Sequence, residues 1–271
     1  MIITVASGKG GTGKTTVAVN LALAIEATLY DCDVEEPNAN IFIKADLEKI
    51  EDVKLMNPVF DLQKCTFCKK CAEFCKYNAI AVLSSDVILF PELCSGCGGC
   101  KIVCPYDAIS EGSRIIGEIH HGKNGIEIYQ GVMNVGEARA TPIVSQLKKH
   151  VKRDGISILD APPGNGCPVI ETMHGSDFVI LVTEPTPFGF HDFKIAYELA
   201  KKLDIPAGVV INRYGVGDDS VEKYCRDEGI DVLMKIPYSR EIAELYSKGI
   251  PFASHIPEWR KKFQELYEVI G

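Results

Sequence analysis

Six short apolar runs rich in β-forming residues punctuate the chain: Ile2–Ala6, Ala27–Asp31, Ile156–Asp160, Phe178–Val182, Ala207–Ile211 and Val232–Ile236. Stretches of helical periodicity separate them. One begins near Lys14 and puts Val17, Leu21, Ala24 and Ile25 on one face; others run from Asp192 to Leu203 and from Val221 to Glu228. Apolar strands alternating with amphipathic helices predict an α/β fold, with a mostly parallel sheet covered by helices on both faces. A chain of 271 residues has room for one such domain and a small second module.

From about Val59 to Ser113 this rhythm fails. Cys65–Ile80 and Cys94–Ile109 share one cysteine spacing, and each repeat ends in an aromatic, one further residue, Ala and Ile. The segment predicts a module over residues 59–113, inserted between the second strand and the strand ending at Asp160. The larger domain is then discontinuous, made of residues 1–58 and 114–271. Arg114 to Gly131 reads as a β-hairpin that returns the chain, with Gly122-Lys123-Asn124-Gly125 as its turn.

Composition narrows the chemistry. Hydrophobic residues make up 46% and charged residues 24%, which excludes a disordered chain. A formal net charge of −8 argues against general nucleic-acid binding, which needs clustered Lys and Arg. The first residues lack the order of a secretory signal, and no run approaches 18 apolar residues, so a cytoplasmic location is expected. Eleven cysteines in a reducing compartment point to metal or redox chemistry rather than disulfides, and eight of them lie between Cys65 and Cys104.

Gly8-Lys9-Gly10-Gly11-Thr12-Gly13-Lys14-Thr15 fits G-x-x-x-x-G-K-S/T between a predicted strand and a predicted helix. Glycines let backbone N–H groups close around phosphate oxygens, and the helix N-terminus adds partial positive charge. Lys14 can reach the β- and γ-phosphates and the Thr15 hydroxyl can ligate Mg²⁺, so ATP or ADP with Mg²⁺ is the expected ligand.

With Lys9 beside Gly10-Gly11 and Thr16 after Thr15, the loop resembles the deviant Walker A loop of the MinD/Mrp/ParA family, which includes the nitrogenase iron protein. The resemblance implies that Lys9 crosses an ATP-dependent homodimer interface to the partner's nucleotide. Asp31-Cys32-Asp33-Val34-Glu35-Glu36-Pro37-Asn38 resembles the family's first switch. It implies that Asp33 positions the attacking water or Mg²⁺ and that Asn38 supports it. Asp160-Ala161-Pro162-Pro163-Gly164 resembles the Walker B strand end and second switch, with Asp160 holding Mg²⁺ through water and Gly164 approaching the γ-phosphate. Asn212, Arg213 and Pro237 fall where the family contacts adenine. By pattern the resemblance covers residues 1–45 and 114–271.

Cys65-x₂-Cys68-x₂-Cys71-x₃-Cys75 and Cys94-x₂-Cys97-x₂-Cys100-x₃-Cys104-Pro105 are two copies of the bacterial ferredoxin run, in which the fourth cysteine ligates the other cluster. Resemblance to two-cluster ferredoxins assigns Cys65, Cys68, Cys71 and Cys104 to one 4Fe–4S cluster, and Cys94, Cys97, Cys100 and Cys75 to the other. Lys76 stands where the second copy has Pro105. Structural zinc is the alternative, but it favours two Cys pairs closing a tetrahedral Cys₄ site over two tandem four-cysteine runs.

Cys167 lies just beyond the second switch, where the nitrogenase iron protein has a cluster ligand; without a second such cysteine here, an unreactive thiol is expected. Cys32 and Cys225 read as core residues. No C-x-x-C occurs outside the insert, so the transfer site of Mrp-type carriers has no counterpart. Trp259, Phe263, Leu266, Tyr267 and Ile270 form one face of a C-terminal helix. MinD proteins end in a membrane-binding helix, but here the basic residues Arg260, Lys261 and Lys262 are confined to the first turn, so packing against the sheet is expected.

The leading expectation is an ATPase whose nucleotide state is coupled to electron transfer through two 4Fe–4S clusters. Alternatives are an Mrp-type assembly factor or carrier for metal clusters, and a Min-like positioning ATPase. The partner is an unidentified redox or cofactor-assembly protein.

Overall fold

The computed structural model describes residues 1–271. The chain opens with β1 (Ile2–Ala6), α1 (Lys14–Ala24) and β2 (Thr28–Asp31), followed by a short α2 (Asn40–Ile43) and the long β3 (Glu48–Phe60). The cysteine-dense segment holds α3 (Lys70–Phe74), β4 (Ile80–Val82), β5 (Val87–Leu89) and α4 (Gly99–Ile102). Then come β6 (Ile109–Asn124), β7 (Ile126–Met133), α5 (Thr141–Lys148), β8 (Ser157–Asp160), α6 (Cys167–Met173) and β9 (Phe178–Thr183). The chain ends with α7 (Pro187–Lys202), β10 (Ala207–Tyr214), α8 (Ser220–Glu228), β11 (Val232–Pro237), α9 (Arg240–Ser247), α10 (Phe252–His255) and α11 (Pro257–Ile270).

Nine strands form one sheet in the order β11-β10-β9-β1-β8-β2-β7-β6-β3. The strands from β11 to β7 pair in parallel. This is the α/β sheet that the apolar runs imply. Alternate residues feed opposite faces: Val182 and Val210 join a core with Val17 and Leu21 of α1, whereas Leu181 and Val209 join a core with Phe193 of α7. Burial on both faces is why these strands read as continuous apolar runs.

The antiparallel edge has a different construction. β6 and β7 form a hairpin that turns at Gly125, whose φ of +75° lies in the left-handed region that glycine enters freely. β7 accompanies β6 only between Gly117 and Asn124, while β3 stays paired with β6 from Glu48 to Phe60. Residues 54–60 and 109–115 therefore leave the sheet as a two-stranded ribbon that carries the cysteine segment at its end. The strands pass through residues 58 and 114 without a break.

α11 buries Trp259, Phe263 and Leu266 in the core that holds α1. Phe252 meets Trp259 edge-on at 5.3 Å between ring centroids, and Phe263 at 5.8 Å. Its apolar face is thus occupied inside the molecule, as the confinement of its basic residues implies. No helix is long and apolar enough to cross a membrane.

Candidate functional site

The glycine loop joins the end of β1 to the start of α1, and two of its glycines are required by contact. A Cβ on Gly8 would lie 2.2 Å from Asp192 O, and one on Gly13, at φ +97°, would lie 2.3 Å from Asn212 Nδ2. The Asn212 amide donates to Thr12 O at 2.8 Å and ties the loop to the end of β10. A cleft of about 780 Å³ opens above it. Gly10, Gly11, Gly13, Lys14, Thr15, Thr16, Asp33, Asn38, Asn212, Arg213 and Pro237 all line this cleft. The structure therefore gathers residues from four separated parts of the sequence at the C-terminal ends of parallel strands, where α/β folds place ligands.

Gly8, Lys9, Thr12, Asp160 and Gly164 are not part of that lining. Asp160 sits at the end of β8, fully buried, with neither carboxylate oxygen meeting a hydrogen-bond partner. Burial raises its pKa, against the pull of Lys14. Asp33 is raised to about 6 by burial, again opposed by Lys14. Burial, and next the charge of Asp160, push the Asp31 carboxyl at the end of β2 above its usual range. Its carboxylate also shapes the following loop, accepting from the N–H groups of Asp33 at 3.2 Å, Asn38 at 2.9 Å and Ala39 at 2.9 Å. Crowded carboxyls, an orphaned Asp160 and the Thr15 hydroxyl form a hard oxygen donor set, which fits Mg²⁺ beside a phosphate.

Sequence reasoning missed Glu184. It follows β9, lines the cleft, and its side chain is only 8% exposed. Lys9 Nζ donates to its Oε1 at 2.5 Å and Arg213 Nη1 to its Oε2 at 2.8 Å. Burial pushes the Glu184 carboxyl up, but Lys9 and Arg213 prevail and hold it below its usual range. Thr186, Tyr238 and Tyr246 also line the cleft and carried no motif, whereas Glu36 lay within the first-switch segment with no role assigned to it. The available signal was positional: Thr183-Glu184-Pro185 ends an apolar strand at the same sheet edge as the glycine loop.

The cysteine segment forms two cavities. Cys65, Cys68, Cys71 and Cys104 line one, with Phe60, Lys69 and Lys70. Cys75, Cys94, Cys97 and Cys100 line the other, with Met56, Lys76 and Tyr77. Each cavity thus draws three cysteines from one repeat and the fourth from its counterpart. Backbone N–H groups of Phe67, Ala79 and Ala108 point at the sulfurs of Cys65, Cys75 and Cys104, each at 3.4 Å. No three His, Cys, Asp or Glu side chains converge on a single-ion position, and each cavity is lined by four cysteines, the number that ligates one cubane. The donor set fits a 4Fe–4S cluster in each cavity. Cys167 is exposed at the start of α6, and Cys32 and Cys225 are buried.

Comparison with known proteins agrees with the fold and the glycine loop. The family profile of the CobQ/CobB/MinD/ParA nucleotide binding domain matches residues 3–252. An uncharacterised protein of Methanocaldococcus jannaschii is 36% identical over 266 residues, which are 94% of this chain and 92% of that one. A protein of Pyrococcus horikoshii named iron-sulfur cluster carrier protein is 26% identical over 290 residues, 98% of this chain and 84% of its own length. The septum site-determining protein MinD of Pyrococcus horikoshii, solved with Mg-ADP, shares the fold with a TM-score of 0.61 at 21% identity, over 99% of this chain and 95% of that one.

Proposed function

This chain belongs to the CobQ/CobB/MinD/ParA nucleotide-binding family and is a P-loop ATPase of that family, and we propose that its nucleotide state is coupled to electron transfer through two 4Fe–4S clusters. In this reading residues 59–113 are a ferredoxin-like module within an ATPase domain of residues 1–58 and 114–271. One cluster is held by Cys65, Cys68, Cys71 and Cys104, the other by Cys75, Cys94, Cys97 and Cys100. A bound cluster supplies a one-electron couple tuned by charge, hydrogen bonds and exposure. Lys14 and the loop amides hold the phosphates, Thr15 and Asp160 hold Mg²⁺, and Asp33 with Asn38 orients water. Lys9 acts in trans in an ATP-dependent homodimer.

The observation that carries the reading is the pair of four-cysteine cavities at the end of a ribbon continuous with the nucleotide-binding sheet. An electron module built onto the sheet edge lies within mechanical reach of loops that order around a γ-phosphate. The test is anaerobic. Reconstituted chain should hold about eight irons, from two clusters of four, and Cys68→Ser should impair one cluster mainly. Dithionite-reduced clusters should pass electrons to a small-molecule acceptor at a rate that changes when MgATP replaces MgADP. Stoichiometric zinc without iron, or a rate indifferent to nucleotide, overturns the reading.

A second reading is an ATP-dependent iron–sulfur carrier, favoured by the relatives so named. It expects the chain to deliver iron and sulfide to an apo-protein and to lose its own clusters in doing so. Retention of all iron through many ATP turnovers with an apo-ferredoxin acceptor present would exclude it.

A further inference from the structure

The loop between β7 and α5 touches both the nucleotide cleft and the cysteine segment. At its start, Met133 N–H donates to Val34 O at 2.8 Å, and Val34 adjoins Asp33 in the cleft wall. Midway, Glu137 pairs with Arg114 of β6, their side chains only 3% and 19% exposed. At its end, Arg139 leaves the nucleotide-binding domain. Its Nε donates to Cys94 O at 3.0 Å and its Nη2 to Leu93 O at 2.7 Å. The guanidinium also lies 5.1 Å from the centre of the Tyr77 ring. Both Cys94 and Tyr77 line the second cavity.

No other residue outside the β3–β6 ribbon hydrogen-bonds to residues 61–108. The cysteine segment is therefore attached by its ribbon and by this one side chain, and the side chain grips the backbone of a cysteine. The cavity of Cys65, Cys68, Cys71 and Cys104 has no such tie.

We infer that Arg139 is the positioning residue through which nucleotide state acts on the cluster held by Cys75, Cys94, Cys97 and Cys100, and on that cluster alone. The inference rests on the coupled-electron reading above. Ordering of the Asp33–Val34 segment around a γ-phosphate pulls on Met133. The buried Glu137–Arg114 pair gives the loop a pivot, so the displacement arrives at Arg139. Shifting a guanidinium and two carbonyl contacts beside a cluster changes the charge and hydrogen bonding that set its potential. The cluster on the far cavity, untouched by Arg139, keeps its potential.

The experiment is an anaerobic redox titration, followed by electron paramagnetic resonance, of the fully loaded chain with MgADP or a non-hydrolysable MgATP analogue. Cys97→Ser identifies which signal belongs to the second cavity. In the native chain the analogue should change that cluster's electron affinity about tenfold, a shift of about 59 mV for a one-electron couple. Arg139→Ala should lose the shift while keeping both clusters and its ATP hydrolysis rate. A shift that survives in Arg139→Ala, or that falls on the other cluster, overturns the inference and leaves the coupled reading standing. No shift at either cluster of the native chain also overturns the inference, and the coupled reading then stands or falls on the nucleotide dependence of the electron-transfer rate. Should Arg139→Ala fail to hold the second cluster, hydrogen exchange of the native loaded chain decides. Amides 93–97 should change rate roughly fivefold between the two nucleotides, and no change there overturns the inference.

Discussion

Lys9 and Lys14 belong to the same glycine loop, and their ammonium groups meet different acids. Lys14 is buried at the first turn of α1, with the raised carboxyls of Asp33 and Asp160 in its field. Neither carboxyl forms an ion pair with Lys14 as Glu184 does with Lys9, so the Lys14 cation faces the cleft and its loss should be felt at the phosphates. Lys14→Ala should lower ATP turnover by roughly 100-fold or more while the visible absorption of the cluster segment stays intact, as assayed by phosphate release and spectrum on one sample. Joint loss of both would show that the cleft and the cysteine segment fold as one unit. Lys9 instead gives its charge to Glu184, which also takes Arg213. An anion at the rim of a polyphosphate site opposes ligand charge. Glu184→Gln should therefore bind ATP several-fold tighter, by about 1 kcal/mol, in an equilibrium titration with a fluorescent analogue. Weaker binding would mean that Glu184 holds the cleft in shape rather than lowering its charge. Glycines, Lys14 and Thr15 were legible because phosphate chemistry fixes their spacing. Glu184 was not, because a carboxylate beside a phosphate site makes sense only once the two cations it holds are seen around it.

At the scale of elements, what could be read tracks how completely a segment is buried. β1, β8, β9 and β10 are covered on both faces, so the hydrophobic effect alone dictates their composition and their apolar runs mark them out. β3 carries Glu48, Lys49, Glu51, Asp52 and Lys54 on a half-exposed edge, and its pairing with β6 rests on backbone hydrogen bonds that any side chain permits. No periodicity was imposed there, and the strand went unrecognised. The hairpin turn was legible because Asn124-Gly125 supplies a positive φ. α11 lies between these cases: its apolar face was plain and its packing on the sheet was expected, but its helical neighbours were not. The structure packs it on α1 and α10 as well as β11, so its contribution is to stability. Phe263 is fully buried. Phe263→Ala should cost about 3–5 kcal/mol, read as a lower midpoint in a urea titration followed by the fluorescence of Trp259, the only tryptophan. Native chain should stay in the supernatant when sedimented with anionic liposomes. Co-sedimentation with unchanged Trp259 fluorescence would show that a different surface meets lipid.

The whole molecule is asymmetric along its sheet. The cleft lies over the ends of the central parallel strands, the cysteine ribbon leaves from the β3 edge, and the ion pair of Lys9 stands at the cleft mouth. With Lys14 proposed to serve the phosphates from within the chain, a second lysine in the loop gains most where charge develops in the partner subunit's transition state. To reach it, Lys9 must leave Glu184. Exposed ion pairs hold about 0–1 kcal/mol and buried ones about 3–5 kcal/mol against loss of one partner; with Lys9 30% exposed and Glu184 8%, this pair falls between. That barrier is small enough for the partner's bound polyphosphate to overcome and large enough to hold Lys9 in place without it. Dimerisation should accordingly require ATP, and turnover per chain should rise with protein concentration until the dimer saturates. Lys9→Ala should bind ATP as a single chain with near-native affinity yet lose turnover by roughly 100-fold or more, measured by light scattering and phosphate release across a dilution series. Turnover per chain that is constant on dilution to where scattering reports monomer, with Lys9→Ala as active as the native chain, would remove the in-trans role and leave Lys9 as the counter-ion that keeps Glu184 buried.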